Sequence, residues 1–138
     1  MNENYKYSDI TEKIIGEAYK VHNVLGSGFL EKVYENALFK KLRESGLYVV
    51  QQYPIKVVFE NEIIGEYCSD LFVESKVIVE LKAVESLHQL HEVQLVNYLK
   101  ATGIEVGLLL NFGKVLQVKR RVHSVDHNTH NLSVSKRS

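Results

Sequence analysis

Three charged side chains stand out because they fall where the surrounding residues predict a buried strand. Residues 77–82 are rich in β-branched residues, and successive side chains of a strand point to opposite faces. Glu80 and Lys82 therefore share one face, and Asp70 lies on the predicted strand before the turn at residues 74–76. Because an unpaired buried charge costs several kcal/mol, these residues form either a structural salt bridge or a site held for chemistry.

The residue types favour chemistry on a phosphodiester. Carboxylates on neighbouring strands can bind one hard divalent cation together, since such a cation prefers oxygen ligands and usually keeps some of its waters. The cation lowers the pKa of a bound water, while a lysine beside it can orient that water or stabilise charge on a phosphoryl oxygen. A second acid-x-lysine triplet, Glu74 to Lys76, lies in a predicted turn and is discounted for that reason.

Composition limits the class of protein. The 138 residues are enough for one domain with its own core. Seventeen basic and seventeen acidic residues give a formal net charge of zero, so any nucleic-acid binding depends on a local patch or on a metal. No apolar run approaches the roughly 20 residues that span a bilayer. The lone Cys68 cannot form an internal disulfide, which suits a reducing compartment, and we expect a cytoplasmic protein without membrane contact.

Hydrophobic periodicity predicts two helices, a β-rich middle section, a third helix and two further strands. The predicted helices cover residues 8–25, 29–45 and 87–102. The predicted strand segments cover residues 48–52, 55–59, 63–67, 69–73, 77–82, 105–111 and 114–122. Gly65 can mark a bend or bulge within one long strand, so the strand count stays open. A strand that follows a helix that follows a strand implies a parallel pair, so the sheet is mixed.

Two of the predicted helices carry polar side chains that can reach the same site. Glu31 lies in the first turn of the second helix, where the helix dipole alone already favours a carboxylate. The predicted apolar stripe of the third helix consists of Leu87, Leu90, Val93, Val96 and Leu99. His91, Gln94 and Tyr98 form a second stripe, spaced three and four residues apart. A tyrosine on a half-buried helix face usually serves packing, so Tyr98 has either a packing role or a binding role.

At these positions the sequence resembles a known family of nucleases. Asp70 with Glu80-Leu81-Lys82 resembles the D…(D/E)xK signature of the PD-(D/E)xK superfamily. The segment from Gly28 to Tyr34 reads G-x-x-E-x-x-Y, and from about residue 8 to residue 122 the chain is similar to the small bacterial proteins named the GxxExxY family. The resemblance implies an α/β fold with a restriction-endonuclease-like core, a mixed sheet of about four core strands flanked by helices. Residues 1–122 would form this single domain, and the polar residues 123–138 a disordered tail.

The resemblance also implies an activity and a metal site. The expected activity is Mg²⁺-dependent (or Mn²⁺-dependent) cleavage of nucleic acid, with DNA favoured. Asp70, Glu80 and the backbone carbonyl of Leu81 would bind the metal, and Lys82 would position the attacking water. Glu31 would complete or orient the metal site.

Two further implications concern the substrate and the limits of the resemblance. Gln94 and Tyr98 would match the Q-x-x-x-Y element of RecB-like nucleases and bind substrate. Cys68 stands where a basic residue is often found shortly before the strand aspartate, so a supporting contact is missing.

The alternative function is a catalytically weak or inactive nuclease-like module for nucleic-acid binding or assembly. A homodimer or a protein partner could also supply the basic surface that this chain lacks.

Overall fold

The structure, a computed structural model, describes residues 6–124. They form three helices and five strands in the order α1, α2, β1, β2, β3, α3, β4, β5. The helices are α1 (Ser8–Leu25), α2 (Glu31–Glu44) and α3 (Gln89–Thr102). The strands are β1 (Val49–Phe59), β2 (Glu62–Val73), β3 (Val77–Lys82), β4 (Val106–Phe112) and β5 (Leu116–Val122).

The five strands form one mixed sheet in the spatial order β1-β2-β3-β4-β5. Only the β3–β4 pair is parallel, and α3 connects these two strands. The other neighbours are antiparallel, since each is joined by a connection too short to cross the sheet. The predicted α/β class and the mixed sheet flanked by helices are confirmed, with five strands where about four core strands were expected.

The helices cover the two faces of the sheet. On one face α1 and α2 pack against alternate residues of the central strands, among them Val79 and Leu81 of β3. On the other face α3 packs through Leu95 and Leu99 against a smaller cluster that includes Ile78. Because side chains alternate along a strand, Glu80 and Lys82 lie on the α3 face, next to Ile78.

The first two strands are longer than the sequence predicted. β1 runs without interruption through Pro54, because β1 is an edge strand where a missing N–H leaves no neighbour unpaired. β2 runs through Gly65, and the register of the pair shifts between Val57 and Val58, so the bulge considered at Gly65 is confirmed beside that glycine. Glu60 and Asn61 join the two strands with positive φ angles of 50° and 69°, as a two-residue hairpin turn requires.

The third helix differs from the prediction at its start and on its buried face. It begins at Gln89 rather than at Leu87, and the His88 side chain accepts a hydrogen bond from the Leu90 backbone at the helix start. Leu90, which was assigned to the apolar stripe, is 66% exposed, and Val93 is 45% exposed. Leu99 of the predicted stripe is buried, together with Leu95 and Tyr98, which lay outside that stripe. The helix thus turns the stripe that contains Tyr98 toward the sheet.

Two sequence predictions concern residues at the chain ends. The predicted tail, residues 123–138, lies outside the described residues except for positions 123 and 124. Residues 1–5 also lie outside them. Across residues 6–124, no helix is both long and apolar enough to cross a membrane.

Candidate active site

The site lies where β2 and β3 stop pairing with each other. Their antiparallel ladder runs from Val73 and Val77 to Leu71 and Val79 and ends there. In this register the next two residues to face each other are Asp70 and Glu80. The two carboxylates therefore lie at the fork between the strands, on the face covered by α3.

The two acids replace the missing ladder with reciprocal hydrogen bonds. The backbone N–H of Asp70 donates to Oε2 of Glu80 at 3.0 Å. The backbone N–H of Leu81 donates to Oδ2 of Asp70 at 2.7 Å. Each carboxylate uses one oxygen to hold the opposite strand, so Oδ1 of Asp70 and Oε1 of Glu80 are left for other partners.

Burial and mutual repulsion make both carboxyls reluctant to ionise. Glu80 is only 6% exposed. Burial, followed by the nearby charge of Asp70, raises the pKa of Glu80 from 4.5 to about 8. The pKa of Asp70 is also raised, first by burial and then by the charges of Glu35 and Glu31, although the Leu81 N–H opposes the shift. The site therefore disfavours two charged carboxylates unless a positive charge lies close to both.

Lys82 does not form the structural salt bridge that was the alternative explanation of its position. It is half-buried at the end of β3, and none of the ion pairs between described residues joins it to Glu80. The strand end is held in place by Asn111, the β4 residue beside Lys82 in the parallel register. Asn111 is fully buried, and its side-chain amide both accepts from the Val84 N–H and donates to the Val84 carbonyl, each at 2.9 Å.

Glu31 reaches the same region from the first turn of α2. It is exposed, and its charge raises the pKa of both Asp70 and Glu80. The start of α2 is fixed by the last residue of the G-x-x-E-x-x-Y segment, Tyr34, which is fully buried. Its hydroxyl donates to the Gly26 carbonyl at 2.6 Å and accepts from the Phe29 N–H at 3.2 Å. The tyrosine of the segment therefore shapes the turn, while the glutamate faces the site.

The two predicted substrate-binding residues of α3 are placed differently. Tyr98 is 7% exposed, and its ring lies 5.7 Å from that of Tyr67. Burial, with the nearby charge of Glu80, raises the pKa of Tyr98 to about 12, so its hydroxyl keeps its proton beside the carboxylates. Gln94 is half-buried on the same helix, and no hydrogen bond links its side chain to the carboxylates in the described part of the chain.

Two residues next to the carboxylates were not found from the sequence. Glu35 is 4% exposed on α2 and accepts hydrogen bonds from two glutamines of β1. One of these, Gln52, lies between two residues that pair with β2, Gln51 and Tyr53, and has a φ of 54°. Glu35 follows Glu31 by four residues, which places both on one helix face, and this spacing was the available signal. No local sequence pattern predicts the positive φ of Gln52.

The donor set fits a hard divalent cation that keeps several waters. Among residues 6–124 no group of three or more histidine, cysteine, aspartate or glutamate side chains is close enough to hold a metal ion. The remaining donors are one carboxylate oxygen each from Asp70 and Glu80, and the Leu81 carbonyl remains a predicted ligand. Mg²⁺ is commonly bound through one or two carboxylates together with water and substrate phosphate oxygens. A positive charge here would also relieve the repulsion between the buried acids.

Comparison with known proteins identifies the family. Residues 8–124 match a family model described as the PD-(D/E)XK nuclease superfamily. The match covers most of the chain, and the protein belongs to that superfamily. No curated protein sequence matches significantly.

A comparison of folds agrees with this assignment. The solved crystal structure of SSO0001 superposes with a TM-score of 0.54 at 17% sequence identity. The superposition covers 89% of this chain and 62% of that chain, so this protein spans less than two thirds of that structure. The likeness is one of fold, and the fold is restriction-endonuclease-like.

Proposed function

We propose that this protein is a metal-dependent nuclease that hydrolyses phosphodiester bonds in nucleic acid, with DNA as the favoured substrate and Mg²⁺ or Mn²⁺ as the cofactor. The observation that carries the proposal is the facing pair of carboxylates, half-buried Asp70 and buried Glu80, at the fork of β2 and β3. Membership of the PD-(D/E)XK superfamily supports a nuclease activity. The single domain of residues 1–122 and a cytoplasmic location complete the proposal.

In this proposal each residue of the site has a role of its own. Asp70, Glu80 and the Leu81 carbonyl hold the cation, and Glu31 orients that site from α2. When bound, the cation supplies Lewis-acid activation of the phosphodiester and of water. Lys82 positions the attacking water through its ammonium group and stabilises negative charge on a phosphoryl oxygen.

Substrate contacts are assigned to α3. Tyr98 presents a protonated hydroxyl beside the carboxylates, which suits hydrogen bonding to a phosphate oxygen. Gln94 is assigned to the same role by its place in the Q-x-x-x-Y pattern. Membership of the GxxExxY family is proposed on the segment from Gly28 to Tyr34, in which the tyrosine fixes the turn before the glutamate.

The direct test is cleavage by the purified protein. Single- and double-stranded DNA and RNA are incubated with Mg²⁺, with Mn²⁺ or with a chelator, and the Lys82→Ala variant is compared with the wild type. We expect cation-dependent cleavage that the variant loses by about 100-fold or more, the order found when one transition-state charge contact is removed. Lys76→Ala is the matched control, because Lys76 ends the second acid-x-lysine triplet but lies exposed in the β2–β3 turn. Equal activity of wild type and Lys82→Ala would refute the role of Lys82.

A non-enzymatic module is the second candidate, and the zero net charge favours it. Such a module would bind or assemble through a nuclease-like fold without a functional cation site. Calorimetric titration with Mg²⁺ separates the two, because Asp70→Asn should abolish cation binding by the enzyme and change nothing in the module. If the cation binds without cleavage, a homodimer or protein partner supplies the basic surface, and activity should return when that partner is added.

A further inference from the structure

Glu35 is a buried carboxylate with an unusually complete set of donors. Its side chain accepts from Nε2 of Gln51 at 2.8 Å, from Nε2 of Gln52 at 3.0 Å and from Nζ of Lys32 at 3.1 Å. A polar side chain that is only 4% exposed needs such hydrogen-bond partners, because burial without them costs free energy. The arrangement holds Glu35 rigidly at the point where α2 meets β1.

The two glutamines can reach the same carboxylate only because β1 departs from regular strand geometry. Neighbouring side chains of a strand normally point to opposite faces. At Gln52 the φ of 54° breaks this alternation, and Val50 and Tyr53, three residues apart, consequently both pack on the α3 side. A non-glycine residue in the left-handed region is strained, and such strain is often retained where it serves a site.

Gln52 links Glu35 to Asp70. Nε2 of Gln52 lies 3.0 Å from Oε1 of Glu35 and 3.5 Å from Oδ1 of Asp70, the latter a long contact. The other oxygen of Asp70 is already held by the Leu81 N–H. Gln52 therefore touches the one Asp70 oxygen that is left for a cation, and hydrogen bonds of this kind orient metal ligands.

We propose that Glu35 and Gln52 are positioning residues for Asp70: Glu35 fixes the Gln52 side-chain amide, and that amide orients the Asp70 oxygen that faces the cation. The inference rests on the proposed function, because it assumes that Asp70 binds a divalent cation. It assigns a purpose to the positive φ of Gln52.

Calorimetric titration with Mn²⁺ tests this directly, with thermal unfolding measured in parallel. Gln52→Gly should weaken Mn²⁺ binding by about 10- to 100-fold, the usual range for residues that support metal ligands. The same variant should unfold at nearly the same temperature, because relief of the strained positive φ offsets the hydrogen-bond donor that Glu35 loses. A loss of affinity without a loss of stability is the signature that a merely structural role would not give.

Gln51→Ala is the matched control. Gln51 is the same residue type, lies next to Gln52 and donates to the same carboxylate, but it makes no contact with Asp70. Its replacement should change the Mn²⁺ affinity by no more than about threefold. An equal loss in both glutamine variants would overturn the proposal, because Gln52 would then have no special link to Asp70.

A double-mutant cycle tests whether Glu35 acts through Gln52. Glu35→Gln alone should weaken Mn²⁺ binding by about tenfold, and the double variant with Gln52→Gly should be no weaker than Gln52→Gly alone. Additive losses would mean that Glu35 acts independently through its charge, and would overturn the proposed sequence of contacts.

The experiment also separates this proposal from the function on which it rests. If the wild-type protein does not bind Mn²⁺, the proposed cation site fails and the positioning roles fail with it. If the wild type binds Mn²⁺ and loses it in Asp70→Asn, while Gln52→Gly binds as tightly as the wild type, the positioning proposal alone is overturned.

Discussion

Replacement of Glu80 by glutamine is expected to stabilise the metal-free protein at high pH and to leave its stability nearly unchanged at low pH. Burial and the neighbouring Asp70 raise the pKa of Glu80 from 4.5 to about 8 in the folded state. A folded-state pKa above the unfolded value favours the protonated form of the folded protein. The stability that this contributes is fully present below pH 4.5 and is lost as the pH rises through about 8.

The size of the effect follows from the same two pKa values. The interval from 4.5 to about 8 for Glu80, at about 1.36 kcal/mol per pKa unit, gives a ceiling of about 4 to 5 kcal/mol. We expect about 2 kcal/mol, because the glutamine brings an NH₂ group that needs its own partner. In a domain of this size about 2 kcal/mol raises the melting temperature by roughly 6 °C.

The assay is thermal unfolding in the presence of a chelator, at about pH 5 and about pH 9, on either side of the folded-state transition. Glu62→Gln is the control, because Glu62 is an exposed carboxylate of β2 and its replacement should change the melting temperature by less than about 1 °C. A Glu80→Gln variant that is destabilised equally at both pH values would refute the reasoning. Glu80 would then stabilise the fold through its hydrogen bond at both pH values, and its ionisation would not lower the stability of the protein.

Saturating Mg²⁺ should raise the wild-type melting temperature more at about pH 9 than at about pH 6, because the cation competes with protons on the buried carboxylates; a pH-independent rise would contradict this. Tyr34→Phe should lower the free energy of unfolding in urea by about 1 to 3 kcal/mol, because its hydroxyl satisfies two backbone groups. Gly107→Ala should cost about 1 to 3 kcal/mol, because the new Cβ would lie 2.7 Å from Cδ1 of Leu95. Gly16→Ala is its control, since that Cβ meets nothing within 4 Å, and unchanged stability of Gly107→Ala would show that α3 can shift.

The pairing of the charged residues was predictable because it follows from alternation along single strands. Alternation placed Glu80 and Lys82 on one face, and a tight turn placed Asp70 opposite Glu80. The end of the ladder at Leu71 and Val79 was not predictable. It depends on contacts with β1, β4 and the helices, which no local pattern encodes.

The buried face of α3 was predicted only in part, correctly at Leu99 and wrongly at Leu90 and Val93, because the helix carries apolar residues on two sides. From sequence spacing alone, Leu90 and Val93 are as suitable for burial in the core as Leu95. The choice is made by the sheet, where Gly107 of β4 leaves room for the Leu95 side chain. That glycine lies 12 residues beyond Leu95 in the sequence and contacts it only in the folded state.

A bound cation would explain why these acidic residues lie so close together. In its absence, burial of the Glu80 carboxyl and, after that, the neighbouring charge of Asp70 raise the pKa of Glu80. No ion pair among the described residues joins Lys82 to Glu80, so a bound cation would relieve the cost of keeping both acids charged in the fork. The features that lower the stability of the metal-free fold are therefore those that would strengthen cation binding, and stability and affinity should change in opposite directions in Glu80→Gln.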